Sequence, residues 1–357
     1  MIPSKPLVSI LIPAFNAQEW IADTLRSALA QTWPRKEIIV VDDGSTDRTL
    51  AVARRFESDS VRVITQNNLG AAASRNRAYS LCRGDYIQWL DADDLLAPDK
   101  IAWQMAAMHR RQSRRTLLSS AWGRFMYRYQ RAQFVPTPLW CDLSRVEWLL
   151  RKMGQDLQMQ TATWLVSREL TEAAGPWNTL LLGDDDGEYF CRVLLASDGV
   201  HFVPEAKVFY RATPNSLSYI GRSDRKVVAQ WRSMQLHVGY LRSLEDSPRV
   251  RAACVRYMQT WLIHFYPERL DLVEQMQEVA AELGGMLEVP RLSWKYSWIV
   301  TLFGWRPAKR VLLFLREVKS LMVRSREKVL FHVENRRHAG YSRIWNLGAS
   351  RSGIKSA

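Results

Sequence analysis

From Leu7 to about Phe209 short apolar runs rich in β-branched residues alternate with longer stretches of helical spacing. Val8 to Ile12, Glu37 to Val41, Val61 to Thr65 and Tyr86 to Leu90 have the length and composition of strands. Between them Glu19 to Gln31, Asp47 to Glu57 and Ala71 to Leu81 have the pattern of helices. This alternation predicts an α/β fold, a mainly parallel sheet with helices on both faces. Such sheets bind ligands at the carboxyl ends of their strands. Asn16, Asp42, Asp43, Asp91 and Asp93 all fall just after predicted strands, which places them along one edge.

After Tyr210 the strand signals stop, and helical periodicity continues through Lys226 to Leu244, Val250 to Phe265 and Glu268 to Leu283. The Gly284-Gly285 pair and Pro290 mark a joint. The expected organisation is an α/β domain over 1–220, a helical region over 221–290 and a tail over 291–357. With 357 residues, 47% hydrophobic and 24% charged, the chain is globular, and fibrous or wholly disordered classes are excluded. The net charge of +14 is unevenly placed, because residues 291–357 hold fifteen Lys/Arg against three Glu. Attraction to anionic partners is therefore a property of the tail.

Cys82, Cys141, Cys191 and Cys254 lie far apart without paired spacing, as in a reducing compartment. The start of the chain makes a poor signal peptide, since its apolar run is short and broken by Pro13. No apolar run approaches the ~18 residues of a membrane span. A cytoplasmic location is expected, with peripheral attachment to the inner face of the membrane as an open alternative.

Three acidic clusters carry the candidate chemistry. In Val40-Val41-Asp42-Asp43-Gly44-Ser45 a buried strand runs into two acids and a glycine turn. Capping by Ser45 or Thr46 explains part of this. A carboxylate there can also accept hydrogen bonds from a base N–H or ribose hydroxyls. In Trp89-Leu90-Asp91-Ala92-Asp93-Asp94 residues two apart on extended chain face the same way, so Asp91 and Asp93 can share a cation. Two hard oxygen ligands with room for phosphate oxygens suit Mg²⁺ or Mn²⁺ bound with a diphosphate. In Gly183-Asp184-Asp185-Asp186-Gly187 the acids precede an apolar helix. They either serve as a solvated helix N-terminus or include an aspartate that takes a proton from an attacking hydroxyl.

In order and spacing these motifs resemble the inverting glycosyltransferases of family 2, which have the GT-A fold, over residues 7 to about 215. Ser9 to Asn16, with Pro13 and Phe15, is similar to the opening strand and nucleotide loop. Asp42-Asp43-Gly44-Ser45 resembles the uridine-contacting turn, and Asn68-Leu69-Gly70 through Arg75-Asn76 the segment bordering the donor. Asp91-Ala92-Asp93 falls at the metal motif, and Asp185-Asp186 at the Glu-Asp motif whose second acid is the catalytic base. The usual Glu is Asp here. Three consecutive aspartates leave the register open by one, and counting back from Arg192 favours Asp186 over Asp185. The Gln-x-x-Arg-Trp motif of processive synthases is absent, which implies single-sugar transfer.

The resemblance implies a nucleotide-sugar donor, expected to be UDP-linked, and a glycan or lipid-linked acceptor. Asp186 would deprotonate the acceptor while a metal on Asp93 and Asp91 neutralises the leaving diphosphate. Asp42 and Phe15 would hold the base. Two other classes stay open: a sugar nucleotidyltransferase, although its Gly-rich phosphate loop is absent, and a non-catalytic scaffold, although every motif carboxylate is kept.

The tail begins with Trp294, Tyr296, Trp298 and Trp305 and continues with Val311, Phe314, Leu315, Val318, Leu321 and Met322 at helical spacing. The opposite positions include Lys309, Arg316, Lys319 and Arg326, which makes a basic amphipathic segment. It is either a helix docked on the domain with a basic outer face or an attachment to an anionic membrane surface. No nucleic acid is expected, because no binding motif accompanies the charge.

Overall fold

A computed structural model describes residues 5–111, 113–213 and 223–337. It opens with β1 (Val8–Ala14), α1 (Ile21–Leu29), β2 (Lys36–Asp42), α2 (Thr49–Arg54), β3 (Val61–Thr65), α3 (Ala71–Leu81) and β4 (Tyr86–Trp89), the alternation expected from the hydrophobic pattern. Next come β5 (Leu95–Leu96), α4 (Lys100–Arg111), β6 (Thr116–Phe125), β7 (Gln133–Phe134), α5 (Arg145–Gly154), β8 (Val166–Ser167), α6 (Arg168–Ala174), α7 (Asp185–Ala196) and β9 (Gly199–Arg211). Helices α8 (Asp224–Leu244), α9 (Pro248–Phe265), α10 (Leu270–Glu282), α11 (Trp294–Phe303) and α12 (Trp305–Arg337) complete it.

The main sheet has the order β3-β2-β1-β4-β8, parallel except for β8. Every residue of β1 and β4 is buried, which is why these strands appear in the sequence as unbroken apolar runs. The carboxyl ends of β1, β2 and β4 therefore open on one edge, as the sequence predicts.

A second sheet, β5-β9-β6-β7, was not named from the sequence. Its central strand β6 is buried almost throughout, including Ser119 and Ser120, so it lacks the alternation that marks a half-exposed strand. Strand β9 runs parallel to β6 with a register shift between Ser120 and Ala121. At its end β9 pairs Phe209 with Leu95. That pairing holds the Asp91–Asp94 segment between the two sheets.

The expected helical region is present, but it shares the core of the α/β part. One cluster of buried side chains includes Leu11 and Trp89 of the sheet, Tyr189 and Phe190 of α7, and Trp231, Met234, Tyr257 and Phe265 of α8 and α9. Residues before 214 and after 222 thus contribute to one continuous core.

The tail is helical through Arg337, and its residues 338–357 lie outside the described residues. Helix α12 is fastened near both ends. Lys309 donates to the Tyr266 carbonyl at 2.8 Å and pairs with Glu268 at 2.6 Å. At the far end Arg128 pairs with Glu327 at 2.7 Å and Glu334 at 2.5 Å, and the Tyr127 and Phe331 rings are 6.0 Å apart. Between these points Leu312 is buried while Phe314 and Met322 are 65% and 68% exposed, so the outer side carries apolar as well as basic residues.

Candidate active site

The loop after β1 and the turn after β2 are tied together. Asn16, at φ 46°, donates its backbone N–H to Ser45 Oγ (3.0 Å) and accepts from the Thr46 N–H through Oδ1 (2.9 Å). Gly44 sits at φ +70°, and a Cβ there would lie 2.9 Å from the Asn68 nitrogen, so only glycine fits this turn. Pro13 is buried at the end of β1, and Phe15 beside it is about half exposed, which leaves a ring free to stack.

Asp42 and Asp43 are both buried but differ in use. Asp42 Oδ2 accepts from the Ser45 N–H and Thr65 Oγ1, each at 3.3 Å, while its Oδ1 is buried without a hydrogen-bond partner. A buried acceptor left over in this way suits a donor N–H from a ligand. Asp43 accepts from Gln66 Nε2 (2.7 Å) and the backbone N–H groups of Leu69 (3.0 Å) and Gly70 (2.8 Å). Asp43 thereby holds the loop that carries Asn68 and Gly70, both exposed.

Arg75 joins two of the acidic motifs. Its side chain is 7% exposed and lies 4.3 Å from the Trp177 ring centroid. It donates to Asp91 Oδ1 at 2.8 Å and to Asp185 Oδ2 at 2.7 Å. Sequence positions 75, 91 and 185 thus converge on one network. Burial pushes the Asp185 carboxyl up to about 6 even though Arg75 opposes the shift.

Asp93 is recessed beside Asp91. Burial, then the neighbouring Asp91 charge, pushes its carboxyl up to about 6. Arg211 at the end of β9 donates Nε to the Asp93 carbonyl (2.8 Å) and its backbone N–H to Asp94 Oδ1 (2.8 Å). Asp94 is fully buried, and its other oxygen has no partner. Ala92 is buried, and its carbonyl accepts from Thr24 Oγ1 at 2.9 Å. Among the described residues no group of three or more His, Cys, Asp or Glu is arranged to hold a metal alone. Two carboxylates held close with insufficient countercharge do fit a cation that takes its remaining ligands from a diphosphate.

Helix α7 begins at Asp185, and Asp186 follows on its first turn. Asp186 accepts from Thr161 Oγ1 at 3.3 Å and from the Gly187 N–H at 2.9 Å. Burial, followed by the charge of Asp184, raises its carboxyl above the usual range. Asp184 itself, which sequence reasoning passed over, is left-handed at φ 55° and points away from this pair into the helical region. It accepts from Ser233 Oγ at 3.0 Å and Gln230 Nε2 at 3.3 Å. Glu188 pairs with Arg192 at 2.7 Å and accepts from the Tyr240 hydroxyl at 2.8 Å. The base motif is therefore braced from α8 on its far side.

This arrangement is that of a GT-A fold. Superposition on the crystal structure of S. aureus TarS 1–349 in complex with UDP-GlcNAc gives a TM-score of 0.62, covering 78% of this chain and 80% of that one at 16% identity. The corresponding UDP complex gives 0.57. Residues 9–130 match the model of glycosyl transferase family 2. The TuaG glycosyltransferase of teichuronic acid biosynthesis from Bacillus subtilis is 41% identical over 110 residues, 30% of this chain and 44% of TuaG. Chondroitin synthase of Escherichia coli is 46% identical over 98 residues, 27% of this chain and 14% of that enzyme. The matched stretch thus spans less than half the length of these relatives.

Proposed function

We propose that the protein transfers one sugar, with inversion, from a UDP-sugar to a hydroxyl of a glycan or lipid-linked acceptor, as a step of polysaccharide biosynthesis. The observation that carries this reading is the Arg75 bridge, which brings Asp91 of one motif and Asp185 of another to the same edge. The family of residues 9–130 and the UDP and UDP-GlcNAc complexes of the TarS fold support the donor class.

In this reading Asp42 Oδ1 accepts from the base and Phe15 stacks on it. Asp93, with the oxygen of Asp91 that Arg75 leaves free, would hold Mn²⁺ or Mg²⁺. When bound, the ion supplies charge neutralisation at the diphosphate. Asp186 takes the proton of the acceptor hydroxyl. Thr161 and the Gly187 N–H fix its carboxylate, and its raised proton affinity brings it nearer the working pH of a general base. Asp185, held by Arg75, orients the pair.

A thermal-shift screen of nucleotide sugars with and without Mn²⁺ tests the donor assignment. Stabilisation by a UDP-sugar, larger with Mn²⁺, is the expected result. Equal indifference to every nucleotide would remove the reading.

A further inference from the structure

The outer side of α12 has no partner among the described residues. Val311, Phe314, Leu315, Leu321, Met322 and Val329 are all exposed. At about 100° per residue they fall within an arc of about 120°, whereas Ala308 and Leu312 of the same helix are buried. Cations border this stripe on both sides, with Arg310 and Lys328 along one flank and Lys319 and Arg326 along the other. Trp294 and Trp298 of α11, 80% and 56% exposed, precede it.

We infer that α11 and α12 form a docking surface for an anionic lipid bilayer, on which α12 lies flat. Charge complementarity selects this occupant. A second copy seated on the same stripe would bring like cations together, and two of the three glutamates of α12, Glu327 and Glu334, are already held by Arg128. An anionic headgroup layer satisfies both flanks while the stripe and the tryptophans enter the acyl boundary. No helix of the described residues is long and apolar enough to cross a membrane, so the surface lies on the bilayer. It also adjoins the candidate active site. Tyr127, packed on Phe331, has its ring 5.8 Å from Trp20, and Arg211 lies over Trp20 at 4.4 Å while bonding the Asp93 carbonyl. The docking surface stands independently of the transfer reading.

The test is flotation of the full chain with phosphatidylglycerol–phosphatidylcholine vesicles and with phosphatidylcholine alone. Binding to the anionic vesicles, weakened by salt and lower on the neutral ones, is expected. Phe314→Glu/Met322→Glu should lower partitioning by about tenfold or more with the melting temperature unchanged, because both side chains are exposed. Arg310→Glu/Lys328→Glu should lower it and flatten the salt dependence. Trp294→Ala/Trp298→Ala, away from α12, should lower it as well. Absence of vesicle binding by the unmodified chain would overturn the inference, as would full binding by the Phe314/Met322 variant. A dimer of the unmodified chain that this variant splits, without vesicle binding by either, would assign the face to a second copy.

Discussion

Replacing Arg75 with methionine isolates the contact on which the site depends. Arg75 is buried and makes two charge-assisted hydrogen bonds, to Asp91 and Asp185. Hydrogen bonds to charged groups are worth about 1.5–3 kcal/mol each, and breaking a buried pair on one side costs about 3–5 kcal/mol because the partner charge stays behind. Methionine keeps apolar contact with Trp177, so the loss is mainly electrostatic. At roughly 2 °C per kcal/mol for a chain of this size, the melting temperature at pH 8 should fall by about 6–10 °C. The pH dependence separates charge from packing. Asp185 already has its carboxyl pushed up to about 6, and Arg75 acts to lower it. Without Arg75 the folded-state value rises further above the unfolded value of about 3.9. The folded variant then takes up a proton that the unfolded chain does not, and gains stability as pH falls through that raised value. The gap to the unmodified protein should therefore narrow from pH 8 to 5.5, and Asp185→Asn added to Arg75→Met should recover part of it. Differential scanning fluorimetry across this range reads both effects. A deficit that is the same at both pH values, or below about 1 kcal/mol, would refute the bridge as an energetic element.

Three further outcomes follow from the same geometry. Gly187→Ala places a methyl group against the part-buried Asp184 carboxylate, so it should lower the melting temperature by several degrees and depress transfer together with it, whereas Gly239→Ala, with open space around it, should do neither. Asp93→Ala should abolish Mn²⁺-dependent UDP affinity in calorimetry, and an unchanged Mn²⁺ effect would exclude Asp93 from the cation site. The transfer rate should fall on the acid side as the raised carboxylate of Asp186 is protonated, with a midpoint above that of an ordinary aspartate, and a flat profile down to pH 4.5 would contradict a titrating base there.

The first half of the α/β core could be located from sequence because β1, β2 and β4 are buried, mainly apolar runs separated by helices, and acids follow β2 and β4. The second sheet could not, because β6 buries serines among its apolar residues and offers no alternation. At the site, types and positions were legible while partners were not. Asp42 and Asp43 are adjacent in sequence, yet one keeps a free oxygen and the other is consumed by the 66–70 loop, a difference set by tertiary hydrogen bonds. The three aspartates 184–186 divide among Ser233 and Gln230, Arg75, and Thr161, contacts whose sequence separations of 25 to 110 residues no local pattern reports. The amphipathic period of α12 was visible, but which side meets the body depends on where Arg128 and Glu268 stand.

Proton abstraction by Asp186 is tested most directly by comparing UDP release from the donor found in the thermal-shift screen by the unmodified protein, Asp186→Asn and Asp185→Asn, with donor affinity measured in parallel. Asp186→Asn should bind the donor as tightly as the unmodified protein and release UDP about 10²–10⁴ times more slowly. Undiminished turnover by Asp186→Asn, with the loss appearing in Asp185→Asn instead, would contradict the assignment of the base.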